Sequence, residues 1–113
     1  MGLFTAGQVV TLPFPYTDLS AGKIRPVLLL ARAGREDWIV CQITSNPHID
    51  AHAISIDIGD FTKGGLRHLS YIRPTKLFTA HESLIVSDLG ALTQLALRRV
   101  GDAVVAIIQA PHR

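Results

Sequence analysis

A curled antiparallel sheet with one helix packed on it near the C-terminal end is the fold class this chain predicts, and three features predict it. Two β-favouring runs flank a short glycine-containing connection, Ala33-Gly34-Arg35-Glu36, as a hairpin requires. Further short apolar runs, separated by turn formers, precede and follow that hairpin. From Leu92 the apolar spacing changes to a single helical stripe. The expected class is therefore mainly β, in one domain spanning residues 1–113. A domain near that size buries roughly two-thirds of its unfolded surface, enough for a core without metal or disulfide.

Residues 8–14 alternate, with Val10, Leu12 and Phe14 on one face, which predicts a half-buried strand. Pro13 and Pro15 make the end of that strand an edge. Residues 15–23 carry Thr17, Asp18, Ser20 and Gly22 and read as a loop, a candidate flap over the start of the hairpin. Residues 26–31 are apolar at every position, so both faces of this strand should be buried and the sheet built around it. Gly34 suits the first central position of a type II′ turn, which needs positive φ. With Gly34 and Arg35 as the two loop residues, Ala33 faces Glu36 and, counting outward, Arg25 faces Thr44. Facing residues of an antiparallel pair hold their Cβ atoms about 4.5–5.5 Å apart. A guanidinium and a hydroxyl should therefore meet at the open end of the hairpin.

The third strand, residues 38–45, alternates Ile39, Cys41 and Ile43 against Val40, Gln42 and Thr44, and Asn46-Pro47 ends it. Residues 53–58 predict a strand with Ile54, Ile56 and Ile58 inward, followed by turns at Gly59-Asp60 and Gly64-Gly65. Residues 69–77 predict a fifth strand with Tyr71, Arg73 and Thr75 on one face; Pro74 demands an edge or a bulge. A helical turn over 79–82 and a short strand over 83–87 come next. Thr93 is a fitting N-cap for the final helix. Its stripe runs through Leu92, Leu95, Ala96, Val100, Ala103, Val104, Ile107 and Ile108, with Pro111 just beyond its end.

Composition removes several functions. The net charge of +2 and pI near 9.0 permit nucleic-acid binding without arguing for it. Cys41, the lone cysteine, sits in an apolar strand and reads as a small buried hydrophobe. No apolar run approaches the roughly 20 residues of a membrane span. The opening residues lack the charged and apolar regions of a signal peptide, so a cytoplasmic location is expected. Neither a phosphate loop nor a serine elbow is present. His48 and His52 flank Asp50, but they lie in a Pro-flanked loop with no cysteine or glutamate near, so solvated histidines and no metal are expected. The polar groups nearest one place are Arg25, Thr44, Ser45 and Arg73.

Three stretches carry a family resemblance. They are Gln8-Val9-Val10-Thr11-Leu12-Pro13-Phe14-Pro15-Tyr16-Thr17-Asp18-Leu19, then Arg25-Pro26-Val27-Leu28, then Cys41-Gln42-Ile43-Thr44-Ser45. Together with Gly65-Leu66, Ser70-Tyr71-Ile72-Arg73 and Lys76-Leu77-Phe78-Thr79, they resemble the MazF/PemK family of toxin endoribonucleases. The resemblance implies a small SH3-like barrel and the toxin half of a toxin–antitoxin pair. It implies metal-free, cofactor-free cleavage of single-stranded RNA, the ribose 2′-OH attacking its own 3′-phosphate. Arg25 and Thr44 match active-site positions, and Arg73 matches an arginine that some members use as an acid. The expected RNA-binding set adds Lys23, Ser45, Tyr71 and Asp18. Where some members carry a proton-accepting His or acid, this chain offers Leu19, Ser20 and Thr75, leaving Asp18 and His68 as candidates for the base. The implied partners are RNA, an acidic antitoxin and a second copy of the chain. Two other functions fit the same fold: a non-catalytic inhibitor of a protein target such as gyrase, and a degenerate RNA-binding relative.

Overall fold

The computed structural model describes residues 3–13 and 23–112. Seven antiparallel strands form one sheet: β1 (Gln8–Pro13), β2 (Ile24–Arg32), β3 (Asp37–Thr44), β4 (Ile54–Ile56), β5 (Phe61–Gly64), β6 (Ser70–His81) and β7 (Ser87–Leu92). Their spatial order is β4-β6-β3-β2-β1-β7-β5, curled into a half-barrel, and the helix α1 (Gln94–Gln109) packs on one face. The mainly β class with a C-terminal helix is thus the observed one. The expected loop over 15–23, with Asp18 and all but Lys23 of its residues, lies outside the described residues, as does Phe14.

β2 occupies the middle of the sheet, as its uninterrupted apolar run requires. Val27, Leu28 and Leu29 are all fully buried. Leu28 joins Val9, Cys41, Ile43, Ile72, Ala96 and Val100 on the helix side, whereas Val27 and Leu29 join Val10, Leu12, Trp38 and Val40 on the other. β1 is also buried on both faces and is not the half-buried edge expected of it. β7 returns from far along the chain to cover its other side, pairing Gln8 with Ala91.

The hairpin corrects one expectation and keeps its consequence. Gly34 is not in the left-handed region, and the turn is not the two-residue type II′ form. The Asp37 carbonyl accepts from the Ala33 amide (2.8 Å) and the Gly34 amide (3.3 Å), closing a loop one residue longer. Arg32 therefore faces Trp38 and Ala31 faces Ile39. A bulge at Leu30 then takes the extra residue back, so that Leu29 faces Val40 and Val27 faces Gln42. Continued by two residues, that register sets Arg25 against Thr44, as the shorter turn would have done.

Later elements depart further from the pattern. Asp57 caps a 3₁₀ turn at Ile58–Asp60, accepting from the Gly59 amide (2.9 Å) while its own amide donates to the Asp60 carboxylate (2.9 Å). These local bonds outcompete the strand, so β4 stops at Ile56, and Ile58, expected inward, is 72% exposed. β6 runs on to His81 where a helical turn was expected. A 3₁₀ turn at Glu82–Leu84 replaces the expected strand over 83–87, and β7 begins at Ser87. Pro74 sits in a bulge: the β3–β6 ladder passes from Ile43–Ile72 to Cys41–Leu77 with extra β6 residues between. β5, which sequence alone did not predict, pairs with β7 through Gly64 and Gly90, both at positive φ. A Cβ on either glycine would strike the other strand's backbone.

α1 begins at its expected cap, the Thr93 hydroxyl accepting from the Ala96 amide (3.1 Å). Ala96 and Val100 are buried, and Leu97 packs beside them. Leu95 and Ile108, both in the expected stripe, are 77% and 68% exposed. The packed face is rotated toward Leu97, leaving apolar side chains on the outer surface of the helix. No helix among the described residues is long and apolar enough to cross a membrane.

Candidate active site

The open end of the β2–β3 hairpin is where polar chemistry gathers. Arg25 and Pro26 come from β2, Thr44 from the last residue of β3, and Ser45 from just beyond it. The segment between β5 and β6 crosses this end and brings Arg67 and His68 to the same place, with Ser70 at the start of β6. The resulting cleft is about 230 Å³, with Ile43 and Leu66 as its apolar floor. Leu66 packs on the helix-side core. The buried Ser70 hydroxyl donates to the His68 carbonyl (2.9 Å), fixing the backbone that presents His68. The described lining holds two arginines and no carboxylate, an arrangement that favours an anion.

Thr44 keeps its own proton available. Its Oγ1 accepts from the Asn46 amide (3.1 Å), leaving the O–H available to an acceptor in the cleft. Tyr71 faces Thr44 across the β3–β6 ladder and Ser55 across the β4–β6 ladder, half-buried beside the cleft. Lys23 is exposed just before β2. Of the expected site residues, Arg25, Thr44 and Ser45 line one cleft, and His68 joins them.

Arg73 does not line that cleft. Its Nη1 donates to the side-chain amide oxygen of Gln42, Oε1 (2.8 Å), and its Nε to Asp50 (3.4 Å). The Thr75 hydroxyl donates to the same Asp50 oxygen. The side chains of Arg73 and Asp50 are only 16% and 3% exposed. Burial works against ionisation of Asp50. Hydrogen bonds from Thr75, the His52 amide and Arg73, with the Arg73 charge, outweigh it and hold the carboxyl below the usual carboxylate range. This cluster ties the loop after Thr44 to β6. Arg73 thus pairs with Asp50.

Other readings resolve similarly. Trp38 is buried, its indole N–H donating to Glu82 (2.9 Å) with Arg32 over its ring, so its role is packing. Burial pushes the Cys41 thiol up to about 12, which makes it inert as a nucleophile. Among the described residues, no three His, Cys, Asp or Glu side chains converge as a metal site would need. Sequence reasoning missed Arg67, Gln42 and the anchoring role of Asp50. The Asp-x-His spacing did signal an Asx turn, and the His52 amide does donate to Asp50 (2.8 Å).

Comparison with known proteins gives a consistent outcome. A family model described as PemK-like, MazF-like toxin of type II toxin–antitoxin system matches residues 5–108. No curated protein sequence matches the chain significantly. The fold is similar to that of an endoribonuclease from a mycobacterial species (TM-score 0.73, 14% identity, covering 100% of this chain and 98% of that one). A mycobacterial endoribonuclease solved in complex with its cognate antitoxin is similar at TM-score 0.71 and 14% identity, over 96% of this chain and 97% of that one. The Mycobacterium tuberculosis toxin MazF-mt6 is similar at TM-score 0.69 and 17% identity, over 93% and 99%.

Proposed function

This chain belongs to the PemK-like, MazF-like toxin family of type II toxin–antitoxin systems, and from that premise we propose that it is an endoribonuclease acting on single-stranded RNA. The observation that carries the reading is one cleft uniting Arg25, Thr44, Ser45 and Arg67 without a carboxylate among its described lining. A scissile phosphate gathers negative charge on its non-bridging oxygens as the ribose 2′-OH attacks. The Arg25 guanidinium holds those oxygens with a planar, permanently charged fork, which makes it an electrostatic stabiliser and a poor base. The Thr44 hydroxyl donates a further bond, and Ser45 lies beside it. Tyr71 offers a face for a base to stack on, and Lys23 attracts the neighbouring phosphate. Arg73, on β6, is held by Asp50 and Gln42 outside the cleft and steadies the strands that carry it.

The reaction needs the substrate's own nucleophile and no metal. An RNA oligonucleotide should be cut to a 2′,3′-cyclic phosphate and a 5′-OH, at a rate unchanged by EDTA. The same oligonucleotide with deoxyribose 5′ of the cut should survive. Cleavage of the deoxy substrate at the normal rate, or loss of activity on chelation, would refute this mechanism.

The proposed setting is the cytoplasm, as a homodimer controlled by an acidic antitoxin. Leu95, Val105 and Ile108 on the outer face of α1 are more than half exposed, apolar surface of the kind a second copy covers. The carboxylates of a disordered acidic segment would occupy phosphate positions beside Lys23, Arg25 and Arg67. Sedimentation at micromolar concentration should show a dimer, and a saturating antitoxin peptide should suppress cleavage. A monomer, or unhindered cleavage with the peptide bound, would count against these assignments.

A further inference from the structure

We propose that His68 is the general base of this site, the group that takes the 2′-OH proton; the assignment rests on the endoribonuclease reading above. The reaction demands a proton acceptor at the nucleophile, and the cleft limits the choice. Arg25 and Arg67 stay charged and cannot accept. The Thr44 and Ser45 hydroxyls are weak bases, and the Ser70 hydroxyl already donates to the His68 carbonyl at 2.9 Å. Asp50, the nearby carboxylate, is consumed by Arg73, Thr75 and the His52 amide. Among the described residues lining the cleft, the imidazole of His68 is the one group able to accept a proton near neutral pH.

The placement fits the role. His68 lies between Leu66, seated on the core, and Ser70, the buried first residue of β6. Both anchors are within two residues, so the backbone presenting the ring is fixed on either side. The charged groups that share the cleft with it are Arg25 from β2 and Arg67 from its own segment, with the hydroxyls of Thr44 from β3 and of Ser45 just beyond it.

In the proposed step, the ribose 2′-oxygen forms its bond to phosphorus while its proton passes to a ring nitrogen of His68. The bond from phosphorus to the 5′-oxygen breaks, and that oxygen takes a proton from solvent water. The imidazolium then returns its proton to water, restoring the neutral ring. Arg25 and Arg67 neutralise the phosphoryl oxygens throughout.

The test compares wild type with His68→Ala and His68→Gln on one RNA oligonucleotide across pH 5–9, with circular dichroism to confirm that each variant folds. Removing a general base typically costs about 10²–10⁴ in rate. That loss should fall on kcat with KM little changed. The acidic limb of the wild-type profile, where a base becomes protonated, should disappear in both variants. Added imidazole should restore part of the His68→Ala rate and none of the deoxy-substrate rate. A near-wild-type rate in His68→Ala, or a uniform loss with the acidic limb intact and no imidazole response, would overturn the assignment while leaving the endoribonuclease reading standing. A wild-type chain that cuts no RNA would remove both.

Discussion

Arg25→Ala should lower the rate of RNA cleavage by about 10²–10³ and leave the fold intact. That is about 2.7–4 kcal/mol of transition-state stabilisation, the loss typical when one preorganised donor to a developing oxyanion is removed. The fold should survive for a reason only the structure provides. Arg25 is the second residue of β2, and its backbone pairs with Leu12 of β1; the strand does not begin after it, as its position before Pro26 had suggested. Alanine keeps that pairing, and the side chain is half-buried at the sheet's end, not in the core. Arg25→Lys should recover only part of the rate, since an ammonium cannot bind two phosphate oxygens as a fork does. Thr44→Val should cost less, losing one hydrogen bond and the acceptor of the Asn46 amide. Single-turnover rates on one oligonucleotide, with thermal midpoints measured alongside, separate these effects. Wild-type turnover by a folded Arg25→Ala protein would dismiss the stabiliser role.

Asp50→Ala should lower stability by about 1–3 kcal/mol, the usual cost of leaving a buried donor without its partner. The variant strands Arg73, 16% exposed, without its counter-charge, and deprives Thr75 and the His52 amide of their acceptor. Asp50→Asn should be milder, because the amide oxygen still accepts from those donors. The pH dependence has a definite sign. The Asp50 carboxyl is held below its ordinary range in the fold, so the unfolded chain binds that proton more readily. The stabilisation is complete above the ordinary carboxylate range, roughly pH 4, and is lost as pH falls through the lowered native value. Denaturant unfolding of wild type and Asp50→Asn at pH 7 and pH 3 should show the gap between them closing in acid. Equal stabilities at pH 7 would mean that the pair contributes nothing net.

The two variants also differ in how well sequence foresaw them. The Arg25–Thr44 juxtaposition follows from hairpin counting, and it survived a wrong turn because the longer loop and the Leu30 bulge offset each other. Arg73 with Asp50 was not legible, since the partners are 23 residues apart and meet across a loop and the Pro74 bulge. His68 was legible only as one of two candidates for the base, beside Asp18. Its place in the cleft depends on how the segment before β6 crosses the strand ends.

By itself the sequence determined what depends on neighbours along the chain. β2 is central because every position of its run is apolar, and α1 starts at Thr93 because a hydroxyl there satisfies an orphan amide. The β2–β3 pairing belongs here too, as a local hairpin. What tertiary structure decided depends on partners that no local pattern specifies. β7 returning onto β1 buried a strand expected at an edge, and the Gly64–Gly90 approach created β5. Asp57 and Asp60 turned the end of a strand into a 3₁₀ turn. The packing of Leu97 rotated α1 so that Leu95 and Ile108 face outward. The physical reason is the same in each case. Periodicity records which residues are apolar, whereas register, bulges and buried ion pairs are set by which distant surface arrives to cover them.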